Sequence, residues 1–79
     1  MEANKAGRRI RVARAMAEPR LTQDDLVARM QMEGFNMTKN MLSRIETNDR
    51  YVTDLELLGF AKVLHVSVAW LLGQSNVPT

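Results

Sequence analysis

Cysteine is absent from the 79-residue chain, and His65 is its only histidine. Disulfide frameworks, thiol nucleophiles and zinc sites are thereby excluded. Only two prolines and four glycines interrupt the sequence, and no segment alternates apolar with polar over strand length, so a β architecture is not expected. No apolar run approaches the ~18 residues of a membrane span, and no signal-peptide core follows Met1. The chain reads as cytosolic, without a membrane partner. It also lacks a glycine-rich phosphate loop, a Ser/His/Asp set and paired catalytic carboxylates. A shaped pocket of several hundred cubic ångströms would consume most of so small a core. We therefore expect neither enzymatic activity nor a cofactor.

What is present is an ordinary globular composition, 46% hydrophobic and 25% charged, at a length that suits one domain. The net charge is +2, but it is unevenly placed. Lys5, Arg8, Arg9, Arg11, Arg14 and Arg20 face only Glu2 and Glu18 in the first 20 residues, whereas acidic groups outnumber basic ones thereafter. Positive charge gathered on one element marks either a polyanion-facing surface or a solvated helix face.

Periodicity predicts five helices. Ala6, Ile10, Ala13 and Ala17 form one face of a first helix that Pro19 ends. Thr22 caps a second, with Asp25 as a short capping-box partner, Leu26, Val27 and Met30 inward, and Gly34 as its stop. A third runs from Thr38 to about Thr47. Thr38, Met41, Leu42 and Ile45 fall on one side, and Lys39, Asn40, Ser43, Arg44 and Thr47 on the other. Thr53 and Glu56 form a full capping box for a fourth helix reaching Leu64. Its apolar residues Leu55, Leu57, Leu58, Phe60, Ala61, Val63 and Leu64 cover nearly the whole circumference, which predicts a buried central helix. Ser67 caps a short fifth helix with Val68, Trp70, Leu71 and Leu72 inward, ended by Gly73. Trp70 suits a core anchor or a dimer edge, Met30, Met37 and Met41 suit core gaps, and His65 suits a left-handed turn position. Residues 1–73 form the expected domain and 74–79 a loose tail.

Four blocks in this order resemble the Cro/repressor-type helix-turn-helix family: Leu21-Thr22-Gln23-Asp24-Asp25-Leu26-Val27, Met41-Leu42-Ser43-Arg44-Ile45-Glu46, Ala61-Lys62-Val63-Leu64-His65-Val66-Ser67 and Trp70-Leu71-Leu72-Gly73. The resemblance implies an all-α, five-helix, lambda-repressor-like DNA-binding domain whose helices two and three form the helix-turn-helix. It departs from the commonest family spacing around Gln31–Phe35, which predicts a longer turn between those helices. Thr47-Asn48-Asp49 stands where Asn-Gly is frequent, and His65 where glycine is.

By the same resemblance the third helix enters the major groove and presents Thr38, Lys39, Asn40, Ser43 and Arg44 to base edges. Thr22 and Gln23 then meet phosphate at a helix N-terminus, as does Arg50 in the loop beyond, while Arg14 pairs with Glu46 to hold the fold. The implied role is a transcriptional regulator, a repressor in the first instance, acting in the cytoplasm on the nucleoid. Its implied partner is double-stranded DNA, bound as a homodimer, with no small-molecule effector within the chain. The competing expectation is a protein–protein module, such as an antitoxin or antirepressor, that uses the same surface on a protein.

Overall fold

All but the first of the helices begin and end where side-chain and backbone chemistry force them to. The computed structural model describes residues 6–79, so Glu2 and Lys5 lie outside the described residues. Among these it forms five helices and no strand: α1 (Ala6–Met16), α2 (Gln23–Met32), α3 (Lys39–Glu46), α4 (Asp54–Leu64) and α5 (Val68–Leu71). Thr22, Thr38, Thr53 and Ser67 cap the last four, each hydroxyl accepting from the backbone N–H three residues on. Asp25 and Glu56 complete reciprocal capping boxes at α2 and α4, satisfying donors a helix start otherwise leaves unpaired.

The same four helices end alike. Gly34, Asn48, His65 and Gly73 are the positive-φ residues among those described. Behind each, the next backbone N–H reaches back five residues, from Phe35 to Met30, Asp49 to Arg44, Val66 to Ala61 and Gln74 to Ala69. This is the Schellman closure, with asparagine and histidine standing where glycine is commonest.

α1 packs on α3, α4 and α5, and α2 packs on α3 and α4. Ile10 from α1, Leu26 and Met30 from α2, Leu42 and Ile45 from α3, Phe60 from α4 and Leu71 from α5 are fully buried together with Met37. Every helix thus contributes to one core. Gly7 sits at the α1–α3 crossing, where an added Cβ would overlap the carbonyl oxygen of Ile45 and lie 2.9 Å from Asn48 Oδ1. Without a side chain there the two helices can touch.

Three features differ from the reading of the sequence. The longer α2–α3 spacing is taken up partly by helix, because α2 continues through Met32. The rest is packed: Met37 is buried, and Gln31 Nε2 donates to its carbonyl at 2.9 Å. Second, α4 is not buried all round. Leu55 and Leu58 are 65% and 59% exposed, since no other helix covers that side. Third, residues 74–79 fold back. Ser67 N–H donates to Pro78 O at 2.7 Å, Arg9 Nη1 donates to Ser75 O at 3.1 Å, and the Arg9 guanidinium lies 4.8 Å from the Trp70 ring centroid. Trp70 is accordingly an anchor between α1, α5 and the returning chain.

The crossing at Gly7 generates a prediction. Gly7→Ala must push α1 away from the α3 backbone, a form of overpacking that costs about 1–3 kcal/mol. Urea unfolding should show a lower midpoint with an unchanged slope, and a midpoint equal to wild type would rule out this close approach.

Candidate nucleic-acid interface

α3 is held by one side and exposed on the other. Leu42 and Ile45 are fully buried, and Met41 is half-buried against the same core. With those residues facing inward, Lys39, Asn40 and Arg44 are exposed and Ser43 is half-buried. Thr38 is the cap rather than the first helical residue, its hydroxyl accepting from Met41 N–H at 3.1 Å. Lys39 and Asn40 are therefore the first two helical residues.

The only acid within α3 is Glu46, and it points inward. Arg14 Nε and Nη2 each donate to one of its carboxylate oxygens at 2.8 Å, and Gln23 Nε2 donates to Oε1 at 3.1 Å. The Arg14 and Glu46 side chains are only 14% and 4% exposed. A bidentate guanidinium–carboxylate pair fixes orientation as well as charge. Arg14 Nη1 also donates to Leu21 O at 3.1 Å, so one side chain ties α1, the entry to α2 and the end of α3. The family resemblance implies that Gln23 braces the third helix, and the fold brings α2's first residue to α3's last.

The surroundings of the exposed face are less uniformly basic. Lys39 Nζ lies 3.6 Å from Asp24 on α2, with both side chains well exposed; such a pair contributes little and exchanges readily. Arg44 Nη2 reaches Asp49 O at 3.5 Å. Thr47 is tied down locally, donating toward Ser43 O, Arg44 O and Asp49 Oδ2.

Thr22 and Gln23 stand at the start of α2, beside α3. Thr22 N–H donates to Asp25 Oδ2 at 2.9 Å, and its hydroxyl accepts from Asp25 N–H at 3.0 Å. Those bonds, the Thr22 backbone donor first, hold the Asp25 carboxyl below its ordinary value. With Asp24 adjacent, this helix start carries negative charge, so a phosphate there would have to be held by a side-chain donor rather than by the helix start itself.

Arg50 is turned elsewhere. Its Nη1 and Nη2 donate to Glu56 Oε1 and Oε2 at 3.0 and 3.1 Å, and Nη1 also reaches Tyr51 O. The guanidinium serves the start of α4, where Glu56 also accepts from Thr53 N–H, rather than standing free for a phosphate. The sequence showed Glu56 as a capping residue but not its partner six residues earlier, since the intervening loop has no periodicity. Burial alone would raise the Glu56 carboxyl, but the Arg50 hydrogen bonds and the Thr53 backbone donor outweigh it and set it below its ordinary 4.5.

Of the N-terminal arginines, Arg9 is engaged with Trp70 and Ser75; Arg8 and Arg11 lie at the surface. Among the described residues no cluster of His, Asp or Glu could hold a metal, and no helix is long and apolar enough to cross a membrane.

Two predictions concern these ion pairs. Arg14→Ala and Glu46→Ala should each cost roughly 3–5 kcal/mol, because each leaves a buried partner charge unpaired. The double variant should cost clearly less than the sum; strict additivity in chemical unfolding would show that the two groups are uncoupled. For Glu56, a folded pKa below the unfolded value means stability that is present above 4.5 and lost as pH falls through the lowered folded value. Glu56→Gln should therefore melt below wild type at neutral pH, with the gap narrowing under acid. A gap independent of pH would remove the ionised carboxylate from the account.

No protein-family model matches this chain, and no curated protein matches it either.

Proposed function

We propose that the chain is a sequence-specific DNA-binding transcriptional regulator of the helix-turn-helix kind, with α2 and α3 as the motif and α3 placed in the major groove. The observation that carries this reading is the asymmetry of α3. Its one acid is tied inward by Arg14 and Gln23, and its outward side offers Lys39, Asn40, Ser43 and Arg44 at its N-terminal end and middle.

Those side chains match what base edges require. Lysine and arginine donate to guanine O6 and N7, and asparagine pairs bidentately with adenine. A helix braced from behind keeps such groups in register, which base reading needs. Thr38 lies at the helix mouth, and Gln23 keeps a second amide N–H beyond the one given to Glu46. That donor can meet a backbone phosphate, which positions the helix without reading sequence. Arg50 leaves the phosphate-binding set because Glu56 engages it, and Thr22 acts foremost as a cap.

An eight-residue helix reads few base pairs, so useful specificity calls for two copies on half-sites about 34 Å apart, or a multiple of that. Occupying such a site would make the protein a repressor in its simplest mode of action. The chain would then work as a cytoplasmic, nucleoid-associated protein and not as an enzyme. The protein–protein reading uses the same face without phosphate contact.

Selection from a random double-stranded DNA library, followed by titration against salt, tests the proposal. A two-fold symmetric motif is expected, with an affinity that falls linearly in log–log form as salt rises. Asn40→Ala should weaken the selected site by about 1–3 kcal/mol and leave random DNA almost unchanged. Equal losses on both DNAs would remove Asn40 as a base reader. No retained DNA at low salt would overturn the DNA reading altogether.

A further inference from the structure

Outside the α3 face, one side of α4 is bare. Leu55 and Leu58 are 65% and 59% exposed, and Tyr51, just ahead of the helix, is 70% exposed. At 100° per residue Asp54, Leu55, Leu58 and Lys62 share one side, and all four are exposed. Two leucines three residues apart on the same exposed side of α4 form an apolar patch of the kind that mediates association.

The order of residues along this side says what covers it. Asp54 stands four residues before Leu58 and Lys62 four residues after it; Tyr51 stands seven before and His65 seven after. When two such helices cross antiparallel about a two-fold axis at Leu58, each residue meets the one equally far on the other side. Leu58 meets Leu58, Asp54 meets Lys62, and the chain just ahead of α4, which carries Tyr51, comes near the end of the second copy's α4 at His65. Beside that end lies an open hollow lined by Arg29, Met32, Glu33, Lys62, Val63 and His65. It offers an apolar floor and cationic groups to an aromatic ring. One stripe thus carries acid and base, knob and hollow, in mirrored positions, which is the self-complementarity an isologous interface needs.

We propose that this face pairs with the same face of a second copy of the chain, through an antiparallel α4–α4 contact centred on Leu58. The contact stands on α4 alone and holds whether or not α3 reads DNA. Lys62 presently lies 2.6 Å from Glu33 Oε1, with its own side chain 70% exposed. With the ammonium largely in water and Glu33 partly buried, the pair is only modestly held, so the ammonium can be shared with Asp54 of the second copy. Antiparallel alignment also sets opposed helix dipoles side by side.

Sedimentation velocity on the full 79-residue chain without DNA, over a wide concentration range, tests the proposal. A reversible monomer–dimer equilibrium is expected. Leu58→Glu should raise its Kd by about 30-fold or more, with the helical circular dichroism of wild type and, at concentrations where both are monomeric, the same melting temperature, because Leu58 is not in the core. Asp54→Lys and Lys62→Asp should each weaken the dimer, and combining them should restore it, a rescue that a merely structural effect does not give. A chain that stays monomeric at the highest concentration, leaving the face to a different partner, overturns the proposal. So does a dimer indifferent to Leu58→Glu, or a charge swap without rescue.

Discussion

The Arg14–Glu46 pair is the constraint on which the arrangement of helices depends. Glu46 is almost completely removed from water at the end of α3, where an unpaired carboxylate would be very costly. The fold answers with three hydrogen bonds from two elements, two from Arg14 and one from Gln23. Arg14 in turn reaches the Leu21 carbonyl. Since α1, the α1–α2 connection, α2 and α3 all supply atoms to this network, none can rotate without leaving a charge unsatisfied. Hydrophobic contacts at Leu42 and Ile45 draw α3 onto the core but tolerate sliding. The directional pair sets the angle at which its outer side is displayed.

Arg50 and Glu56 repeat this logic on a smaller scale. Glu56 closes the capping box of α4 through Thr53 N–H and simultaneously holds both amino groups of Arg50, so the loop leaving α3 is fastened to the helix that follows. The consequence for function is a division among the arginines. Arg14 and Arg50 are engaged with carboxylates and Arg9 with Trp70 and Ser75, whereas Arg44 remains exposed. A count of basic residues therefore overstates the charge available to a polyanion. The acids of α2 temper it further, because Asp24 lies beside Lys39. Any DNA reading by this chain rests on a few well-placed donors rather than on a broad basic surface.

The two outward faces have opposite chemistry. The α3 side is polar and hydrogen-bonding, while the α4 side is apolar with one acid and one base at its ends. α1 and α2 each pack on both helices and mediate between them. Occupying both sides of the core at once is compatible with these contacts, since neither proposed role uses the other's residues.

Sequence by itself determined the number of helices, their caps and most of the core. The Thr and Ser caps act on N–H groups three residues away, and the exits at Gly34, His65 and Gly73 close within one turn. Both are local interactions, visible in a short window. Sequence also marked the polar and apolar sides of α3, because helical periodicity is local. Pairing Arg14 with Glu46 came from family resemblance, as nothing in a window of a few residues joins positions 32 apart. Tertiary structure alone decided that Arg50 turns to Glu56, that Arg9 covers Trp70, and that residues 74–79 return to Ser67. It alone left Leu55 and Leu58 in solvent, although their pattern reads as core. The physical reason is that a side chain's hydrophobicity states what burial would gain, but whether a neighbour exists to bury it depends on where the other helices have packed.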